Sequence, residues 1–271
     1  MRVLRQPALL AALAALLVCY SATLAGMAAQ WWNDEDMGHG FLVPLIAVWI
    51  VWRERARWQA LELRPSVWGL AVLALAAAIH FASGLGGGLF VASVALVVSI
   101  AGIILCFGGF ALLRAWVFPL ALLVFMLPKL AIVYNQVTLP LQLLASRLAA
   151  GMLSTAGFAV IRNGNILDVT GHRISVVEAC NGIRYLLPLA FLAVFIAYLA
   201  GSKPWMRVAM LAASVPIAIL ANAVRVAVAA LFPSLAEGTP HQLAGALIFV
   251  LCLAALGAVR GLFPRSHERA A

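Results

Sequence analysis

The chain has 271 residues, 65% hydrophobic and 10% charged, and its mean hydropathy is +1.07. A soluble domain is about half apolar and roughly a quarter charged, so this composition excludes one; the length instead suits about eight bilayer-crossing helices. The net charge of +9 does not point to nucleic acid, because the basic residues stand in short clusters between apolar runs, as cytoplasmic loops do.

In chain order, "MRVLRQPALLAALAALLVCYSATLAGMAAQ" resembles a signal peptide, but its apolar run is long enough to cross. "LLVC" lacks the small residue of a lipoprotein site, so an uncleaved first span over 8–29 is expected. With Arg2 and Arg5 inside, "QWWNDEDMGHG" is an outer loop, and a second span over 41–52 delivers "RERARW" and Arg64 to the cytoplasm. The third span, 67–83, leads out to the turn "GLGGG". The fourth, 89–107, returns to Arg114, and the fifth covers 116–127.

Residues 128–157 differ. They are apolar but interrupted by Lys129, Asn135, Gln136, Thr138, Pro140, Gln142, Ser146 and Arg147, which suits an interfacial or re-entrant helix better than a span. "GNILDVTGHRISVVEA" reads as two short strands around Thr170, Gly171 and His172. Open strands cannot face lipid, so this small β-hairpin is expected on the extracytoplasmic side or packed against protein at the membrane edge. Spans over 182–200, 208–228 and 243–259 follow, with "GSKPWMR" inside, "LFPSLAEGTPHQ" outside and "RGLFPRSHER" as a basic cytoplasmic tail.

Charge supports this threading. Arg2, Arg5, Arg53, Arg55, Arg57, Arg64, Arg114, Lys203, Arg207, Arg260, Arg265 and Arg269 fall inside, whereas Asp34, Glu35, Asp36, Asp168, Glu178 and Glu237 fall outside. No internal repeat or linker is visible. The predicted fold is an all-α polytopic membrane protein, one domain over 1–271, with about eight spans and both termini cytoplasmic.

Three of the four cysteines, Cys19, Cys106 and Cys252, lie within apolar runs, where cysteine acts as a small hydrophobe. Cys180 alone has polar company, in "SVVEACNGIRYLLPLAFL". There is no CxxC and no Cys/His zinc spacing, so neither a metal nor a cofactor is expected. The threading places Cys180 at the outer start of the sixth span, Arg225 near the outer end of the seventh and His241 at the outer start of the eighth. An ionisable residue within a span is costly and points to function.

Their chemistry is coherent. A helix N-terminus and nearby cations favour a thiolate, and Arg184 stands one turn after Cys180. His241 can take the thiol proton and return it to a departing amine. Arg225 can stabilise an oxyanion while staying charged. The product would be a thioester acyl-enzyme, resolved by water or an amine. Each residue also has an ordinary reading: a small helix-start residue, an interfacial histidine, a snorkelling arginine. The residues alone leave both readings open.

Several stretches together resemble the exosortase/archaeosortase family, bacterial exosortase branch. "WWNDEDMGHGFLVPLIAVWIVWRER" is similar to its N-terminal outer-loop signature and "VVEACNGIRYLLPL" to its nucleophile motif. "NAVRV" resembles its Asn-x-x-Arg motif and "HQLAG" carries its histidine. The resemblance implies a cysteine protease or transpeptidase of the bacterial inner membrane, with its active site facing the periplasm or exterior. In it Cys180 is the nucleophile, Arg225 the transition-state or positioning arginine, and His241 the acid/base. It implies as partners the bilayer and membrane-anchored proteins with a C-terminal tripartite signal: a short motif such as Pro-Glu-Pro, a transmembrane helix and a basic cluster. The acceptor would be an envelope or polysaccharide component. Asn181 departs from the serine that many members have after the cysteine, which leaves the signal motif open. No extra C-terminal domain is expected after the short tail.

Arg184, Asn222, His39 and Glu178 are candidate substrate contacts. Their alternatives are an ion pair between Arg184 and Glu178, a helix–helix hydrogen bond for Asn222, and an ordinary polar loop position for His39. His80, His172 and His267 read as interface, turn and tail. Two other function classes compete: a transporter, for which Arg225 and the interrupted 128–157 segment would suit a broken-helix site, and a non-catalytic envelope assembly factor. Serine and metallo-protease motifs (GxSxG, HExxH) and the paired aspartates of aspartyl proteases are absent.

Overall fold

A computed structural model describes residues 7–169, 171–176, 183–235 and 238–263. Contacts cluster into two compact units, Met1–Leu130 and Ala131–Ala271.

In the first unit, α1 (Pro7–Cys19) and α2 (Ser21–Asn33) are bent by 60° where a single straight span is predicted. The break falls at Tyr20, which is buried; its hydroxyl bonds Ser99 Oγ at 2.9 Å and its ring packs on His80. A 3-10 turn, Gly38–Phe41, leads into α3 (Leu42–Arg53), and α4 is a short turn, Arg55–Gln59. Trp68–Ala115 is one apolar stretch of 48 residues, but it holds two helices, α5 (Trp68–Ala82) and α6 (Gly88–Ala115). They are joined through Ser83–Gly87, where Gly86 has φ +133. They fold back on each other: Gly69 lies against Cys106 and Gly102 against Leu73, and in both places a methyl group would strike the facing residue. Small residues are what lets apolar helices approach without a hydrophobic drive between them. The two helices cover the stretches predicted as the third and fourth spans, and α6 continues past 107 to Ala115 with a break at Gly109, whose φ is +71. α7 (Val117–Leu122) and a 3-10 turn, Leu123–Met126, complete the unit.

A polar clamp fixes the 31–41 loop. Lys129 Nζ donates to Asp34 at 2.6 Å and to Asp36 at 2.8 Å. Trp31 Nε1 donates to the Met126 carbonyl at 3.0 Å, and His39 Nε2 to the Phe125 carbonyl at 3.0 Å. Burial works against the Lys129 ammonium, but its hydrogen bonds to Asp34 and Asp36, and their charges, outweigh it and hold the group above its ordinary value.

In the second unit, α8 (Ala131–Thr155) runs through the stretch expected to be interfacial or re-entrant. It is one continuous helix of 25 residues that accommodates Pro140, and Ile132–Thr155 is long and apolar enough to cross a membrane. The polar residues that argued against a span are partly absorbed: Thr138 bonds the Tyr134 carbonyl, Ser146 bonds the carbonyls of Leu143 and Gly164, and Gln142 is buried.

The expected two-stranded hairpin is a three-stranded antiparallel sheet, β1 (Val160–Asn163), β2 (Ile166–Val169) and β3 (His172–Ser175), in the order β1-β2-β3. The extra strand comes from the turn that pairs Asn163 with Ile166, where Gly164 takes φ +64. Leu167 and Val169, on alternate positions of β2, are fully buried. They pack with Ala145, Ala149 and Leu153 of α8 and with Val226, Ala227 and Ala230 of α10 (Pro204–Leu231).

α9 (Ile183–Leu199), α10 and α11 (Gly238–Gly261) form a bundle around Leu189, Ala193, Met210, Ala218, Cys252 and Leu256. Outward positions carry large apolar residues such as Leu220, Val224, Leu243 and Leu247, as lipid contact requires. Among the described residues, four helical stretches are long and apolar enough to cross, or five if the bent α1–α2 pair is one span. Gly38–Arg53, Val117–Met126 and Arg184–Leu199 are shorter apolar helices. The chain is thus an all-α membrane protein with a small sheet.

Candidate functional site

Arg225 lies in the last two turns of α10, only 3% exposed. Its neighbours Ala223, Val226, Ala227, Ala229 and Ala230 are buried, so α10 packs closely here and leaves the long side chain no route to water. After α10 the chain turns through Pro233–Leu235 and restarts as α11 at Gly238, whose φ is +70. Pro240 suits the first turn of that helix. The reversal puts His241, sixteen residues on, against the arginine: Arg225 Nη2 meets His241 Nε2 at 2.5 Å.

That contact assigns the histidine's roles. A guanidinium has only donors, so Nε2 must accept. Nδ1 then carries the proton and donates to the Leu235 carbonyl at 2.9 Å. His241 is held as the neutral tautomer with its basic nitrogen toward Arg225.

Two more side chains complete the arginine's surroundings. The guanidinium carbon lies 5.1 Å from the centre of the Tyr185 ring, on the first turn of α9. Tyr185 stacks in turn on Phe249 of α11. Gly245, one turn after His241, leaves space for the tyrosine: a methyl there would stand 2.5 Å from the Tyr185 hydroxyl, while its 3.5 Å distance to Arg225 Nη2 would be an ordinary contact. His241, Gly245 and Phe249 therefore make one stripe along α11, at spacings of four.

Among the described residues no carboxylate pairs with Arg225, and its buried Nε and Nη1 have no hydrogen-bond partner. A buried charge with open donors is costly unless something else fills them. Asn222, one turn earlier on α10, is 1% exposed.

Of the predicted site residues, the structure brings Arg225 and His241 into contact. Asn222 is one turn before Arg225 on α10, and Arg184 is half-buried in the first turn of α9. His39 is in the first unit, buried and bonded to Phe125. Cys180 and Glu178 lie outside the described residues. Cys180 is three positions before Ile183, where α9 begins, and four after Val176, which is buried against the sheet's core. Sequence reasoning missed Tyr185 and Gly245. The available signal was the four-residue spacing from His241 to Gly245 within "HQLAG" and the tyrosine directly after Arg184. Among the described residues no group of His, Cys, Asp and Glu is arranged to hold a metal ion.

The transmembrane exosortase family model matches residues 31–258, most of the chain and both units. No curated protein and no solved structure gives a match. With that match spanning the outer-loop signature, the Asn222–Arg225 turn and His241, the chain belongs to the transmembrane exosortase family.

Proposed function

We propose that this protein is a cysteine transpeptidase that cleaves the C-terminal sorting signal of membrane-anchored proteins, with Cys180 as nucleophile, His241 as acid/base and Arg225 as oxyanion donor. Family membership supplies the general statement, a membrane-integral sorting enzyme. The observation that carries the finer reading is the buried Arg225 in contact with the half-buried His241, with Arg225 Nε and Nη1 left open among the described residues. Two open N–H groups on one buried guanidinium suit a carbonyl oxygen on which negative charge develops.

The steps follow from the atoms. In the resting arrangement Arg225 Nη2 occupies the His241 lone pair. A bound substrate carbonyl that attracts the guanidinium frees Nε2 to take the Cys180 proton. Sγ then bonds to the carbonyl carbon, and the displaced electron pair on oxygen is held by Arg225 N–H groups. Collapse breaks the C–N bond, His241 returns the proton to the amine, and the signal segment leaves. The remaining thioester is resolved by water or by an acceptor nucleophile. The Leu235 carbonyl keeps His241 Nδ1 protonated throughout, as a third group orients the base in other nucleophile–base pairs.

In this reading the β-sheet and the N-terminus of α9 stand on the extracytoplasmic side, both termini are cytoplasmic, and the substrate's own transmembrane helix presents the scissile bond above the bilayer. The acceptor is an envelope or polysaccharide component.

The test is co-expression with a reporter ending in Pro-Glu-Pro, a transmembrane helix and an arginine cluster, with cleavage followed by gel shift. C180A is expected to abolish processing, and H241A to lower it about 10²–10⁴-fold. Normal processing by C180A would sink the mechanism; normal processing by C180A, R225A and H241A alike would favour an assembly role.

A further inference from the structure

We propose that Tyr185 is a positioning residue for Arg225, and that Gly245 is a glycine because only a hydrogen leaves room for the Tyr185 hydroxyl. The inference rests on the catalytic reading above and adds to it the support that keeps the arginine in place.

Arg225 needs such support. It is 3% exposed, and among the described residues its hydrogen-bond contact is through Nη2 to His241. A single hydrogen bond leaves a long side chain free to swing, and Nε and Nη1 provide no second anchor among the described residues. What fixes the plane of the guanidinium is a ring face 5.1 Å away. A cation over a phenol face is attracted by the ring quadrupole, most strongly where water is excluded, and the contact uses none of the N–H donors. Tyr185 therefore holds the charge while leaving its hydrogen-bonding edge available to substrate. A carboxylate partner would hold the charge and fill that edge.

The ring is in turn fixed from α11. It is 7% exposed, stacks on Phe249 with centroids 6.3 Å apart, and has its hydroxyl seated over the Gly245 backbone. A methyl at position 245 would lie 2.5 Å from that hydroxyl, inside any normal contact, and the tip of a stacked ring yields only if the whole ring moves. The helix that carries the acid/base thus also sets the platform for the oxyanion donor, within one turn. Tyr185 is five residues after Cys180, so the same short segment of chain carries the nucleophile and the arginine's support.

The contact makes a specific suppression prediction. G245A should displace the Tyr185 ring and lower processing of the Pro-Glu-Pro reporter. Y185F removes the atom that the new methyl strikes, so Y185F/G245A should recover most of the loss. Y185F alone keeps the ring face and should stay within about threefold of wild type. Y185L removes the face and should lower kcat by roughly 10- to 30-fold, the size of a desolvated cation–π contact, with KM nearly unchanged.

A second readout needs no turnover: the pH profile of Cys180 alkylation by a maleimide, followed on the Cys180 peptide by mass spectrometry. If Arg225 is held near the thiol, R225A moves the profile to higher pH; Y185L should move it in the same direction, and Y185F should not. Wild-type processing by Y185L, or failure of Y185F to rescue G245A while both single variants accumulate normally, overturns the proposal. If Y185L does not accumulate, the Y185F/G245A pair still decides it. C180A keeps the two readings apart: retained processing there refutes the catalytic assignment, whatever Tyr185 does.

Discussion

Lys129 in the first unit and Arg225 in the second are both cations withdrawn from water in a chain that is mostly apolar. They are treated in opposite ways. Lys129 Nζ is gripped by Asp34 and Asp36 at 2.6 and 2.8 Å, and the clamp closes the 31–41 loop. Arg225 has no carboxylate among the described residues; it has an imidazole nitrogen at its edge, a phenol at its face, and two nitrogens open. A neutralised cation stabilises and does little else. An incompletely neutralised one is a cost that the fold bears at a site where charge is to arrive. Arg260, at the far end of α11, lies between the two: it is buried with Nε unpartnered, but both terminal nitrogens donate to backbone carbonyls, of Phe263 and Ala200, and so tie the ends of α11 and α9 together.

The largest expected effect comes from breaking that difference at Arg225. R225A should lower reporter processing at least about 10³-fold, and R225K at least about 10²-fold, while both proteins accumulate in the membrane. The lysine keeps a charge but loses the planar fork and the stack on Tyr185. A purely structural arginine predicts the reverse: processing per folded molecule unchanged and abundance reduced. Measuring both quantities on one blot separates the two.

The two regions also differ in how far they could be read in advance. The Arg225–His241 contact was legible because alternation of spans put the end of one helix beside the start of the next, and both residues are conspicuous in apolar surroundings. Tyr185 and Gly245 were not: the four-residue spacing from His241 to Gly245 puts those two on one face of a helix, but an aromatic and a glycine within apolar runs carry no charge that would single them out. Their roles appear only when α9 and α11 are set side by side. The clamp was half legible: Asp34 and Asp36 stood out in the outer loop, but Lys129 read as an interruption of a helix, and its partners lie more than ninety positions away. Tyr20 is the clearest failure. Neither Pro nor Gly marks the 60° break between α1 and α2; a hydrogen bond to Ser99, 79 positions on, accompanies it. The third strand was missed for a different reason. "FAVIRN", 158–163, falls between the 128–157 segment and "GNILDVTGHRISVVEA" and was assigned to neither, so its pairing with the next strand went unread.

A smaller effect is expected at Lys129. K129M leaves two half-buried carboxylates facing each other without their cation, which should cost about 1–3 kcal/mol. The readout is the apparent melting temperature in detergent, expected to fall by several degrees. Processing per folded molecule should stay within about twofold. The triple variant D34N/D36N/K129M removes the charges together and should recover most of the loss, because deleting all partners of a buried cluster is far milder than deleting one. If K129M instead abolishes processing at normal stability, Lys129 belongs to the substrate path and the contrast with Arg225 fails.

The smallest effect is a dependence on alkaline pH that only the first region should show. Lys129 is held above its ordinary value, so near and above that range the folded protein binds more protons than the unfolded chain. The sign follows: the clamp's contribution is fully present below the ordinary lysine value of 10.5 and is lost as pH rises through the elevated one. Wild type should therefore lose melting temperature more steeply than K129M as pH climbs from 9 past 10.5. Arg225 adds nothing to that slope, since a guanidinium stays charged throughout. Parallel curves for wild type and K129M would mean that the lysine's grip on Asp34 and Asp36 does not stabilise the fold, and the reading of it as a structural cation would have to go.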